Sequence, residues 1–274
     1  MLIRLFLLLN LLASLPALAQ TNLQTFTLSV VPQFTPVDIG QRWTPLLRQL
    51  EAETGYRFQL RLLDKIPRFE FDFLAGIPDL VFLNPYHMLI AADAQGYIPL
   101  VRGTDPLIGI LVAAQDGPIK KLQDLNGKRL AFPAPNAFGA SLYLRALLTE
   151  KEGLRFNSDF VGSHQNVYRH VLIGDSAAGG GIYATLEKES PAIQHRLRVL
   201  YTTPGVAPHP FAAHPRVTQV AREKIRDALL KLGSTPAGRK LLADVDLDKV
   251  ISADFARDYL PLAKLKLKHH SVSQ

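Results

Sequence analysis

Apolar and polar positions along this chain switch repeatedly between a period of two and a period of 3.6. Phe26 to Val31 is an apolar run of strand length, closed by the loop Pro32-Gln33-Phe34-Thr35-Pro36. Trp43, Leu46, Leu47 and Leu50 then recur at helical spacing, and Gly55 ends that predicted helix as a C-cap. Arg57 to Leu63 alternates as a second strand, and Phe69 to Leu74 reads as a short helix. Asp79 to Leu83 reads as a buried strand that stops at Asn84-Pro85. Proline is tolerated in a first helical turn, so a helix opens near Tyr86. Tyr97 to Val101 is a further strand, and the βαβ series predicts a mostly parallel sheet.

A second series follows. Ile108 to Ala113 is a strand, Ile119 to Leu125 a short helix, Asn126-Gly127 a turn and Arg129 to Phe132 a strand. Phe160 to His164 is strand-like and feeds a helix from about Asn166 to Ile173. Gly174 to Gly181 is a small-residue segment with a run of glycines, read as a loop. Arg196 to Thr202 is a strand, and Val217, Val220, Ala221, Ile225, Leu229 and Leu232 mark an amphipathic helix. The chain passes between the two units at Val101–Ala113 and Val199–Ala213. Two crossings of this kind form a hinge around a cleft. The expected division is a leader over 1–19, lobe I over 20–105 and 206–274, and lobe II over 106–205.

The stretch Phe132 to Leu142 carries the most chemistry. A strand meets a Pro/Asn turn and opens a helix there. The first helical turn leaves amide N–H groups without intrahelical acceptors, at the positive end of the dipole. That combination suits a small anion.

Composition narrows the setting. Arg4, the apolar run Leu5 to Leu12 and the small-x-small site Ala17-Leu18-Ala19 read as a cleavable secretory leader, placing the mature chain in the periplasm. The chain has no cysteine, which excludes disulfides, thiolate metal sites and lipid attachment through an N-terminal cysteine. Its 47% apolar content allows a substantial core instead. The formal net charge is +7, one less without Arg4, and favours anionic ligands. The charges are scattered and do not form a nucleic-acid surface. The alternating tail Lys264-Leu265-Lys266-Leu267-Lys268 is expected as an edge strand or a frayed basic end.

These segments together resemble a known family. Trp43, Leu50-Glu51 and Gly55, then Asp79 to Tyr86, Leu125 to Phe132, Gly162-Ser163-His164, and Gly174 with Ala178-Gly179 follow the order of the phosphate/phosphite/phosphonate solute-binding proteins of ABC transporters. The resemblance spans nearly all of the mature chain. It implies an α/β, two-lobe type II periplasmic binding fold with mixed, mostly parallel sheets and two hinge crossovers. It also implies an anionic small-molecule ligand, an ABC permease as partner, and no cofactor. In that family the position of Tyr86 faces the ligand, Asn136 to Ser141 supply backbone and hydroxyl donors, and His164 lies near the cleft. The full candidate ligand-binding set is Gln33, Phe34, Asn84, Tyr86, Asn136, Ala137, Phe138, Gly139, Ala140, Ser141, His164, Gly180 and Tyr183.

The chain departs from the family pattern in two places. Phosphonate binders place Ser/Thr at the helix start, where this chain has Ala137-Phe138-Gly139-Ala140 and only Ser141 as a hydroxyl. An acidic residue common after Gly174 is replaced by Ala177-Ala178-Gly179-Gly180-Gly181. Glycine N–H groups there are expected to approach a ligand closely. A hydrogen bond to a charged ligand is worth about 1.5–3 kcal/mol, so a more apolar or less charged ligand than the family's usual one enters consideration. His209 and His214 read as hinge or rim residues and not as metal ligands. Asp175 and Glu187 read as solvated. Ser141 and His164 meeting across a cleft is the one enzyme-like pairing, but no nucleophile elbow or metal motif accompanies it. The main alternative to a transporter component is a sensing module that signals to a membrane histidine kinase or cyclase.

Overall fold

The computed structural model of the chain describes residues 23–265 and 267–272. The leader read at Met1–Ala19 lies outside them. No helix among the described residues is long and apolar enough to cross a membrane.

The first half builds strands β1 (Thr25–Val30), β2 (Arg57–Arg61), β3 (Leu80–Phe82) and β4 (Ile98–Arg102), with helices α1 (Pro36–Thr54), α2 (Ile66–Leu74) and α3 (Pro85–Gln95) between them. Helix α1 starts where the Thr35 hydroxyl accepts from the Asp38 amide, and it stops at Gly55, whose φ of 66° is easy only for glycine. Its buried face carries Trp43, which meets Phe82 and Phe211 at ring-centroid distances of 5.0 and 6.2 Å. Truncating such a side chain to alanine costs about 3–5 kcal/mol.

The chain then crosses into a second sheet, made of β5 (Gly109–Ala114), β6 (Arg129–Phe132), β7 (Asn157–Phe160), β8 (Ala178–Ile182) and β9 (Leu197–Thr202). The short helix read at Ile119–Leu125 is a 3-10 turn, Leu122–Leu125. Between β6 and β7 runs a helical rod: a π turn Phe138–Leu142, the α turn α4 (Tyr143–Ala146) and a second π turn Leu147–Lys151. Helix α5 (His164–Leu172) begins two residues earlier than its apolar spacing indicates, because Ser163 caps it by accepting from the Asn166 amide. Short helices α6 (Tyr183–Leu186) and α7 (Pro191–Gln194) lead to β9.

A second crossing returns the chain to the first sheet through β10 (Pro210–Ala213), α8 (Gln219–Gly233), α9 (Pro236–Ala243), β11 (Ile251–Ser252) and α10 (Phe255–Asp258). The two crossing segments touch through the antiparallel bridge Leu107–Val206. Strand order is β11-β4-β10-β3-β1-β2 in the six-stranded sheet and β7-β6-β8-β5-β9 in the five-stranded one.

Both sheets are mixed. β1 runs parallel to β2 and β3, and β6 to β7 and β8. The antiparallel pairs are β10 beside β3 and β4 and β5 beside β8 and β9, both strands entering from a crossing, together with β11 beside β4.

Further sequence expectations change. The strand read at Phe160–His164 ends at Phe160: β7 is Asn157–Phe160, and Ser163 already caps α5. The glycine run is not a loop: Gly179, Gly180 and Gly181 pair with Val112, Leu111 and Ile110 inside the sheet. The basic tail is not an edge strand: 3-10 turns at Leu260–Leu265 and Leu267–His269 bury Leu262 and Leu267. Val220 stands on the solvent side of α8.

Candidate functional site

The glycines of the second sheet explain how the site is assembled. A Cβ on Gly180 would overlap the carbonyl of Ala140, and one on Gly109 the carbonyl of Gly139. Gly179 and Gly181 are closed in the same way by Val167 and Tyr168. The π turn Phe138–Leu142 therefore lies with its backbone directly on β5 and β8. Side-chain-bearing strands would hold it off.

The amides of this turn are the main donors of the site. Ala137 stands at the cap position and has no side-chain oxygen to offer. The Ser141 and Leu142 amides both reach back to the Ala137 carbonyl, at 2.9 and 3.1 Å. Among the described residues, the Phe138, Gly139 and Ala140 amides have no protein acceptor. They border a cavity of about 60 Å³ between the two sheets.

Opposite the turn, the ends of first-sheet strands close the cavity. Gln33 follows β1, Asn84 follows β3 and His209 precedes β10. Gln33 Nε2 lies 3.0 Å from His209 Nε2. Desolvation, with the neighbouring His87 second, pushes the buried His209 down to about 3. Its ring is thus neutral and accepts the Gln33 amide proton. Asn84 accepts from the His87 amide at 2.8 Å, which caps α3, and donates to the Asn136 carbonyl at 3.2 Å.

Ser163 and His164, at the start of α5, line the third side. Desolvation pushes His164 down to about 4. The Thr185 hydroxyl lies 2.8 Å from the Tyr168 hydroxyl, 2.9 Å from the Ile182 carbonyl and 3.3 Å from His164 Nδ1, which ties the His164 ring to the end of β8. Val31, Ile66, Leu107 and Ile182 supply apolar wall. Among the described residues, no Asp, Glu, Lys or Arg lines the cavity.

Of the sequence candidates, Gln33, Asn84, Ala137, Phe138, Gly139, Ala140 and His164 meet at this cavity. The others lie elsewhere, each for a physical reason. Phe34 sits beneath the Arg42 guanidinium, 4.0 Å from its ring centroid. Tyr86 is buried against Phe138, Leu142, Tyr143, Leu262 and Leu267, so the chain's own C-terminal segment covers its ring. Asn136 spends its amide on Glu70 and Val272. The Ser141 hydroxyl donates to the Pro135 carbonyl and accepts from Arg145, which removes it from any pairing with His164. Gly180 is the floor beneath Ala140, its backbone paired in the sheet. Tyr183 is not among the lining residues and is 38% exposed.

Sequence reasoning did not include Ser163 and His209 among the ligand-binding candidates. The signal for Ser163 was its place just before an apolar helical run. The signal for His209 was hidden, because only an antiparallel β10 brings its first residues beside the end of β3. The Leu83 amide donates to the Pro210 carbonyl there, at 3.3 Å. His214 lies instead beside Tyr97 and Arg216.

Comparison with known proteins fits this architecture. The chain is 23% identical over 226 residues to the phosphate-import protein PhnD of Mycolicibacterium smegmatis, covering 74% of this chain and 70% of that one. It superposes on PhnD1 of Prochlorococcus marinus, solved in complex with methylphosphonate, with a TM-score of 0.79 and 15% identity, covering 91% and 99% of the two chains. It superposes on a binding-protein component of an ABC phosphonate transporter from Pseudomonas aeruginosa with a TM-score of 0.77 and 16% identity, covering 91% and 88%. A family model for the periplasmic substrate-binding proteins of phosphonate ABC transporters matches residues 28–259. A two-lobe α/β chain with a cleft at the uncapped Phe138 turn, matched over most of its length by that model, belongs to the periplasmic phosphonate-binding protein family of ABC transporters.

Proposed function

We propose that this protein captures a small phosphorus oxyanion bearing an apolar substituent, such as methylphosphonate, and hands it to an ABC permease from the periplasm. The carrying observation is the row of unpartnered amides at Phe138, Gly139 and Ala140 opening into a cavity that contains no charged side chain. Backbone donors and the helix dipole favour an anion there. The small cavity between the two sheets suits a compact ligand. The aliphatic walls at Val31, Leu107 and Ile182 suit a carbon or hydrogen substituent better than a further charged oxygen. The neutral His164 ring presents one donor and one acceptor nitrogen, a partner for a ligand oxygen or a ligand hydroxyl without adding charge.

The division into lobes at the two crossings gives closure its hinge, with ligand favouring the closed state through contacts to both sides. The site is suited to binding without chemistry, because the Ser141 hydroxyl is engaged by Pro135 and Arg145 and is not paired with His164. The leader at Met1–Ala19 supports export.

Isothermal titration with methylphosphonate, phosphite, phosphate and sulfate tests the reading. Saturable binding of methylphosphonate, at least about tenfold tighter than sulfate, is the expected result, each tenfold being about 1.4 kcal/mol. No saturable heat with any phosphorus oxyanion at millimolar concentration overturns it.

A further inference from the structure

The described residues 260–265 and 267–272 lie beyond the part of the chain that the family model matches, and their apolar side chains join a cluster shared by both lobes. Leu262 and Leu267 bury against Tyr86 on α3 of the first lobe and against Phe138, Leu142, Tyr143 and Ala146 on the helical rod of the second. Polar bonds fix the end of the segment. The Val272 amide donates to Asn136 Oδ1 at 3.1 Å, and Asn136 Nδ2 donates back to the Val272 carbonyl at 3.1 Å. The second Nδ2 proton goes to Glu70 Oε1 on α2, at 2.9 Å, and the Asn136 carbonyl accepts from Asn84. One residue of the second lobe is thus bonded to α2, to the start of α3 and to the C-terminal segment.

Arg145 makes the second fastening. Its guanidinium donates to the His270 carbonyl at 2.9 Å and to the Pro135 carbonyl at 2.7 Å. Its Nε donates to the Ser141 hydroxyl at 3.1 Å. The same cation therefore grips the C-terminal segment and both ends of the turn that carries the ligand-facing amides. It has no carboxylate partner among the described residues.

We propose that the C-terminal segment is an intramolecular clasp, fastened through Asn136 and Arg145, which holds the lobes together before ligand arrives and sets how the Pro133–Ala140 turn is presented. Without the clasp, the ligand must supply the whole of the closing free energy. Its apparent affinity is the intrinsic affinity multiplied by the closed fraction, so it falls in proportion as loss of the clasp lowers that fraction.

Small-angle scattering of the ligand-free protein tests this without reference to any ligand, so its failure is separate from failure of the proposed function. Two variants are compared with the intact chain. One ends at His269, which removes the Val272 and His270 bonds but keeps Leu262 and Leu267 in place. The other is Asn136→Ala in the full chain. Each loses at least two hydrogen bonds, so the closed-to-open ratio drops by about tenfold or more. The expected result is a compact ligand-free parent and a larger radius of gyration for both variants, with unchanged circular dichroism. If Asn136→Ala fails to fold, the shortened chain decides alone. A shortened chain as compact as the parent, or a ligand-free parent already as extended as the variants, overturns the proposal.

Discussion

Replacing His209 with Gln tests whether the cavity is held without charge. The ring is buried beside Gln33, and desolvation holds it at about 3, while His164 is held at about 4. An unfolded histidine titrates near about 6.5. Because both folded values are depressed, the unfolded chain binds more protons below that pH, and stability rises with pH across the window. Stability is intact above about pH 6.5 and is lost as the pH falls toward the folded values. At pH 5 the loss is about 2 kcal/mol for each histidine, so about 4 kcal/mol for the pair. The depressed carboxylates Asp79 and Asp258 act in a different window. Their contribution is present above about pH 4 and disappears below it, so pH 5 isolates the histidines. His214, also depressed but at a more open site, adds a smaller loss of the same sign. Urea denaturation at pH 7.5 and pH 5 reads the difference. The parent is expected to lose about 4 kcal/mol on acidification and His209→Gln about 2 kcal/mol, since glutamine keeps a partner for Gln33 but has no proton to gain. A variant that loses as much as the parent refutes the claim that His209 is held neutral.

Three further substitutions probe the turn and its support. Ala137→Asp supplies the missing cap and is expected to stabilise the helix by about 1 kcal/mol while abolishing methylphosphonate binding in calorimetry. Retained binding would show that the first-turn amides are not the anion site. Gly180→Ala drives a methyl into the Ala140 carbonyl and is expected to cost at least about 1–3 kcal/mol in a thermal melt; an unchanged melt would contradict the direct seating of the turn on β8. Ser163→Ala removes the α5 cap, with an expected loss of about 1 kcal/mol and weaker ligand binding, and unchanged values for both would leave Ser163 with no role.

The parts of the fold visible in the sequence were those governed by local chemistry. Helix α1 is marked by Trp43, Leu46, Leu47 and Leu50 and by the Gly55 cap, and its observed end agrees. The Phe132–Leu142 stretch was visible because a strand running into a Pro/Asn turn and an apolar helix leaves few other arrangements. The run Gly179–Gly181 misled because glycine lacks strand propensity. Its presence in β8 follows from the backbone of the π turn and from Val167 and Tyr168, which are contacts far along the chain. His209 and Tyr86 depended on how the chain re-enters. An antiparallel β10 brought one to the cavity, and the returning C-terminal segment covered the other. No local periodicity encodes either event.

The backbone-to-backbone seating of the turn on Gly109 and Gly180 separates two properties that usually change together. The groups that recognise charge are main-chain atoms, positioned by main-chain neighbours, so changes to wall side chains outside the turn leave them in place. Half-buried apolar wall residues such as Ile66 and Ile182 can vary, and with them the size and polarity of whatever is admitted. A lineage or a designer can therefore retune cargo at the walls while anion capture persists. The glycines beneath are the positions where any added side chain lifts the turn from its seat.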